Sequence, residues 1–342
     1  MTNKEKVQYV LLLVVFLIAL ACSTSGKKDK KSDAADTTTA TYVGSKNCEG
    51  CHSTIYNNFI KSGHKWILNK VENGQPPSYP YSNVTLTLPA GYEWKDISYV
   101  LGGYGWKAYY LDTTGKIIGL NKGYSCGKCH TSGYSEEGSQ DNLSGITGTW
   151  KELGVTCERC HGNASKHIAK SSNKPTVDKS IELCGECHNK NRKDKVEAKD
   201  GFIYANQQYE EIKSGAHKNH NCSTCHDPHI SAKNSPQDAI IRKCIVCHSD
   251  KSVISAGMED IECVDCHMPY IAKIANKVSA YKADLRSHLF RVNSDSTANM
   301  FETINDTTYA KNFITLDYVC LTCHSDKTIG WAAENAEAIH PE

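Results

Sequence analysis

The chain has 342 residues, a formal net charge of +1, 39% apolar residues and 17 cysteines. A charge so close to neutral argues against a nucleic-acid partner, which would want a clustered basic face. With the cysteines set aside, about 34% of the chain is left to build a core, against roughly 45–50% in ordinary domains, so the fold needs another source of buried apolar mass.

The N-terminus accounts for the odd cysteine. Lys4 and Lys6 precede an unbroken apolar run of twelve, Val10–Ala21. That is too short for a membrane span, which takes about 20 residues, and fits a secretory signal peptide over residues 1–21. Ala19-Leu20-Ala21 leads into Cys22, and the run resembles a bacterial lipobox with Ala19 in place of the usual Leu. Cys22 is read as lipidated and as the mature N-terminus; cleavage that leaves a free thiol is the alternative. Either way the protein is exported, and the lipid reading makes it an outer-membrane lipoprotein facing the periplasm or the cell surface. Residues 22–41 then carry the lipidated Cys and a small, polar, disordered tether.

From Gly44 onward one motif occurs eight times. It pairs Cys48 and Cys51 with His52, Cys126 and Cys129 with His130, Cys157 and Cys160 with His161, and Cys184 and Cys187 with His188. It continues with Cys222, Cys225 and His226; Cys244, Cys247 and His248; Cys263, Cys266 and His267; and Cys320, Cys323 and His324. C-x-x-C-H is the attachment signature of haem c: two thiols bond the porphyrin vinyl groups and the adjacent His ligates the iron. A zinc or redox pair has no reason to be followed by His eight times, and a C-x-x-C disulfide closes a loop too small to staple a fold. Eight covalent haems are expected, and they supply the missing core.

The motif starts are spaced 78, 31, 27, 38, 22, 19 and 57 residues apart, so this is no fixed-period solenoid. The dense stretch from Cys157 to His267 predicts a tight array. Two propionates per haem would add about −16 and make the loaded protein acidic.

The expected fold is mainly α with extensive coil, organised by the haem stack. A short helix follows the first motif over Ser53–Lys61, with Gly63 as its C-cap and His64 next. A Tyr-rich, haem-free insert, Asn73–Gly123, contains a β-hairpin (around 84–120) that turns at Thr113-Thr114-Gly115. Tyr209–Gly215 repeats the helix-Gly design ahead of His217. Residues 42–175 form a three-haem region, continuous with a five-haem region over 176–342.

Fifteen His less eight motif His leaves His64, His167, His217, His220, His229, His288 and His340. A haem that shuttles electrons wants a second axial ligand, so these seven are the candidate distal ligands. Seven cannot serve eight irons. At least one haem takes Met258, Met300 or a Lys, stays open, or borrows a ligand from a partner.

These residues carry a resemblance. YVGSKNCEGCH with SGH, VLGGYGWKAYY, CGKCHTSGY and GITGTWKELGVTCERCHGNASKH are similar to the multihaem c-type cytochromes related to the nitrifiers' tetrahaem cytochrome, the electron acceptor of hydroxylamine oxidoreductase. CVDCHMP followed by RSHLF resembles a segment shared by pentahaem nitrite reductases and octahaem relatives. The resemblance implies distal roles for His64, His167 and His288, and an open or weakly ligated haem near His130. There is no C-x-x-C-K motif, the mark of the nitrite-reducing haem in many relatives. The expected function is an octahaem electron carrier working with redox protein donors and acceptors, with no catalytic residue assigned. The alternatives are a reductase or oxidoreductase of nitrogen or sulfur compounds with one open haem, and a cytochrome filament in which a ligand such as His340 crosses to the next copy.

Overall fold

The computed structural model describes residues 39–86, 88–190, 195–251 and 257–340. The expected signal peptide, Cys22 and the tether up to residue 38 lie outside the described residues. From Ala40 the chain is one compact unit. It engages the body slightly before the expected end of the tether: the Asn163 side chain donates to the Ala40 carbonyl, and the Thr41 amide donates to Ser165 Oγ.

Helices make up 27% of the described residues and strands 21%, a smaller helical excess than a mainly α fold implies. Among the described residues the longest helix, Ile329–Ala336, has eight residues, and none is long and apolar enough to cross a membrane. The helix after the first motif runs Ser53–Phe59. Gly63 does not cap it, because Ile60 takes that place in right-handed conformation. A Cβ on Gly63 would instead meet the Tyr104 ring at 3.2 Å, so the glycine lets the chain pass that ring. The second helix, Gln208–Ser214, does stop at Gly215, whose φ of −108° is extended rather than left-handed.

The expected hairpin is part of a larger antiparallel sheet in the order β1 (Leu68–Lys70), β2 (Ile97–Gly102), β3 (Ala108–Asp112), β4 (Lys116–Ile117) and β5 (Lys122–Gly123). Asp112 Oδ1 accepts from the Thr114 amide and hydroxyl and from the Lys116 amide. That fixes the β3–β4 turn and the pairing of Leu111 with Ile117. Successive strand residues face opposite ways, and both faces of this sheet are buried. Val100 and Tyr110 join one cluster with Val71, Tyr79 and Val84. Tyr99 and Leu111 join another with Leu68, Tyr124, Ile146 and Trp150.

Beyond it, β6 (Thr131–Ser132) pairs with β7 (Glu152–Leu153). A second sheet, of six strands, was not foreseen. It comprises β8 (Val196–Lys199), β9 (Phe202–Tyr204), β10 (Ala272–Lys277), β11 (Ala283–Leu285), β13 (Phe301–Ile304) and β14 (Thr307–Ala310), in the order β11-β10-β9-β8-β14-β13. A parallel two-strand contact joins β12 (Val292–Asn293) to β15 (Ile314–Thr315). In the six-stranded sheet β9 and β10 pair in parallel. Parallel neighbours need a long crossover, and here the crossover, residues 205–271, contains the Cys222, Cys244 and Cys263 motifs.

Candidate functional site

Each C-x-x-C-H motif folds as one helical turn. The His amide donates to the carbonyl of the first Cys in the Cys48, Cys126, Cys184, Cys222, Cys244 and Cys320 motifs, at 2.8–3.2 Å. The other two motifs are helices outright, Cys157–His161 and Cys263–His267. Residues three and four apart share a helix face, so one turn presents two thiols and an imidazole together. All sixteen described cysteines are free, which leaves both thiols of every motif available for a thioether bond. Among the described residues no three of His, Cys, Asp and Glu converge as a zinc site requires.

The fifteen histidines are all described, and twelve of them form six pairs. Each pair joins a motif His to one from elsewhere: His52 with His167, His188 with His64, His161 with His229, His226 with His288, His267 with His340, and His248 with His217. Ring centres in all six lie 6.0–6.2 Å apart, while the planes differ by anything from 21° to 80°. Direct ring packing would not hold one distance at such different angles. An ion bound head-on by two imidazoles would, since metal–nitrogen bonds of about 2.0 Å put the ring centres about 6.2 Å apart. The Nδ1 atoms of His167, His217 and His288 are buried without a hydrogen-bond partner. Burial holds His288 down to about 3 and His64 to about 4, helped in each by the neighbouring imidazoles, so these rings are neutral at physiological pH, as ligation requires. The residues therefore fit haems carried between paired imidazoles.

Three histidines stand outside this pattern. His130 is paired with a phenol: Tyr124, fully buried, lies with its hydroxyl 3.2 Å from His130 Nδ1. Burial lowers His130 to about 4, so Nδ1–H donates and the Tyr oxygen accepts when Nε2 faces a metal. His324 packs on Trp331 with ring centres 5.0 Å apart, closer than an intervening iron allows. Trp offers no lone pair for a metal. The exposed His220 rests against His217 at 5.8 Å and faces no motif His in a pair of this kind. His340 stands against His267 of the same chain. Met300 is buried in the core cluster with Val196, Phe202 and Ile271, which removes it from the possible eighth ligands. Tyr124 and Trp331 escaped sequence analysis; the one available signal was the position of Tyr124 two residues before Cys126.

Two carboxylates bind the N-terminal strap to the Cys157 turn. Glu152 accepts from the Tyr42 hydroxyl, from the Ser45 amide and hydroxyl, and from Thr156 Oγ1. Glu158, inside the motif itself, accepts from the amides of Val43, Gly44 and Ala164. His64 is positioned by backbone: its carbonyl accepts from the Val155 amide at 2.8 Å. Gly154 permits this approach, with φ of +80° and a position where any Cβ would strike the Lys65 carbonyl. The YVGS and GVTCERC segments are thus two halves of one joint.

Contacts between turns order them in space. Cys48 meets Cys157, and Arg159 of the Cys157 turn donates to Glu186 of the Cys184 turn at 2.5 Å. Cys184 meets Cys222, the Ile241 amide just before the Cys244 turn donates to the Cys225 carbonyl at 2.9 Å, and Cys244 meets Cys263. The Cys263–His267 turn packs against the helix Leu316–Val319 that leads into Cys320. Cys129 of the second motif meets Cys187. The turns form a line that starts at Cys48, passes to Cys157 and runs on in chain order to Cys320. The Cys126 turn branches from it at Cys184–Cys187.

Comparison with known proteins places this geometry. A family model described as cytochrome c554 and c-prime matches residues 109–162, which hold the Cys126 and Cys157 turns. The outer cell wall cytochrome OcwA is similar in structure, with a TM-score of 0.53 and 18% identity over 86% of both chains. The octaheme sulfite reductase MccA of Wolinella succinogenes is similar with a TM-score of 0.58 and 14% identity, over 82% of this chain and 65% of its own. About a third of that reductase has no counterpart here. No curated protein sequence matches the chain.

Proposed function

We propose that this multihaem c-type cytochrome carries eight haems and passes electrons along them between redox partners outside the cytoplasm. The observation that carries the reading is the set of six imidazole pairs at one spacing. Haem c, when bound, supplies a one-electron couple. The protein's part is to hold each imidazole fixed, so that ligation does not change with oxidation state. Contact between successive turns keeps neighbouring sites close, and the line of turns makes a path with ends at Cys48 and Cys320. The Cys48 end lies next to the N-terminal strap, and a lipid on Cys22 would hold it near a membrane. Reductive titration of the purified protein should take up eight electrons per chain, and the intact mass should include eight haems. Fewer of either would sink the proposal. The Cys22→Ala variant should leave the membrane fraction; an unmutated protein found wholly soluble would defeat the lipid reading.

His130 and His324 support a second reading, in which one haem without a paired imidazole binds a substrate such as an oxyanion or hydroxylamine. His130 is the stronger candidate because it sits on the branch, off the through path, with Tyr124 behind it. Turnover of nitrite, hydroxylamine, sulfite or tetrathionate would establish this reading, and its loss in Tyr124→Phe or His130→Ala would locate it. A filament would need a ligand other than His340.

A further inference from the structure

The axial imidazoles differ in what holds their second nitrogen. His267 Nδ1 lies 2.8 Å from the Phe290 carbonyl, His188 Nδ1 3.3 Å from Gln208 Oε1, and His64 Nδ1 3.4 Å from the Pro228 carbonyl. These acceptors are neutral. His229 is different: its Nδ1 lies 2.7 Å from the Asp227 carboxylate. The same Asp227 oxygen accepts from the His229 backbone amide at 2.9 Å, and the Asp227 amide donates to the Ala239 carbonyl at 2.8 Å. The carboxylate is therefore held in place on the ring, and across the pair from His229 stands His161 of the Cys157 turn.

We infer that Asp227 is a positioning residue that holds the haem of the Cys157 turn lower in potential than the sites whose imidazoles face neutral acceptors, and so places an uphill step between the Cys48 haem and the Cys184 haem. This rests on the electron-relay reading above. A carboxylate that accepts from a ligating imidazole increases its electron donation to the metal, and its negative charge favours the oxidised, more positive site. The step there is one electron passed on from a neighbouring haem, with no proton transferred. The Cys157 turn meets the Cys48 turn through Cys48 and the Cys184 turn through the Arg159–Glu186 pair, so electrons from the strap end must cross it. The residue that tunes it comes from the Cys222 motif, in the run CSTCHDPH.

Asp227→Asn tests this in the haem-loaded protein, since Asn can keep the turn and the ring contact but loses the charge. In a potentiometric titration followed by optical and low-temperature paramagnetic resonance spectra, one low-spin component should gain at least tenfold in electron affinity, about 59 mV. The other components should hold, and Asp227→Glu should return the low value. His229→Met identifies the component, because a thioether there replaces one imidazole-paired signal. In the unmutated protein that signal should already be reduced in the lower-potential half of its class. Unchanged potentials in Asp227→Asn, or that signal reduced in the upper half, would reduce Asp227 to a turn-former. A failed relay with the shift intact would overturn the function and leave this assignment standing.

Discussion

Two stretches of the chain solve the same problem differently. Between Phe59 and Trp150 the described residues bury sixteen apolar side chains and carry one attachment turn. Between Ala205 and Met268 they bury one, Ala239, and carry three. The first stretch is a double-faced sheet with a Tyr and Trp core that stands on protein packing. The second is a crossover between two parallel strands whose own side chains cannot offset the entropy of ordering it. Where attachment turns are sparse the protein builds its own core, and where they are dense it buries almost nothing of its own. Ligation follows the same division. The five turns from Cys157 to Cys263 all have paired imidazoles, whereas the Cys126 turn, set against the sheet, has a Tyr.

The largest expected effect comes from deleting attachment in each stretch. Cys222→Ala with Cys225→Ala should cost more than one haem by pyridine haemochrome assay and open the 205–268 segment to protease. Cys126→Ala with Cys129→Ala should cost one haem and leave the sheet protected. Equal, single-haem losses from both would erase the contrast.

Leu111→Ala attacks the other side of the comparison. Leu111 is fully buried between the sheet and Trp150, and its truncation should cost about 2–5 kcal/mol in denaturant unfolding. The low-spin haem signals should be untouched. Their loss would mean the sheet and the array fold as one cooperative unit.

Ligation is the third point of attack. Paramagnetic resonance of the oxidised protein should give six low-spin species with paired imidazoles and two sites of another kind, which respond to cyanide or nitric oxide. His130→Ala should remove one response and His324→Ala the other. Eight imidazole-paired species in a monomer would break the pairing scheme.

The smallest effect belongs to Asp141. Tyr99 donates to its carboxylate at 2.5 Å and Lys70 lies 2.7 Å away. Partial burial opposes ionisation, yet these two partners hold its carboxyl below the usual range. A depressed folded-state pKa means stability present above pH 4 and lost as pH falls through the lower, folded value. Asp141→Asn should cost under about 1 kcal/mol at neutral pH, because the pair is partly exposed, and nothing in strong acid. A cost that persists in acid would point to shape rather than charge.

Much of the local geometry was readable in linear order because each motif is a local unit. Two thiols and an imidazole within five residues close one helical turn wherever they occur, so all eight turns, and the seven histidines free to face them, follow from spacing alone. The short helices after the first motif and before His217 were legible for the same reason, as was the turn at Thr113–Gly115, where Asp112 caps its own backbone. Pairing was not legible. His64 meets His188, and His229 meets His161, across distances in sequence that no periodicity records. The six-stranded sheet was hidden likewise, because its strands are short and come from both sides of a crossover filled with attachment turns. Local hydrogen bonding and covalent spacing are written in neighbouring residues. Which imidazole faces which, and that Tyr124 and Trp331 stand beside the two left over, depends on long-range packing that only the folded chain decides.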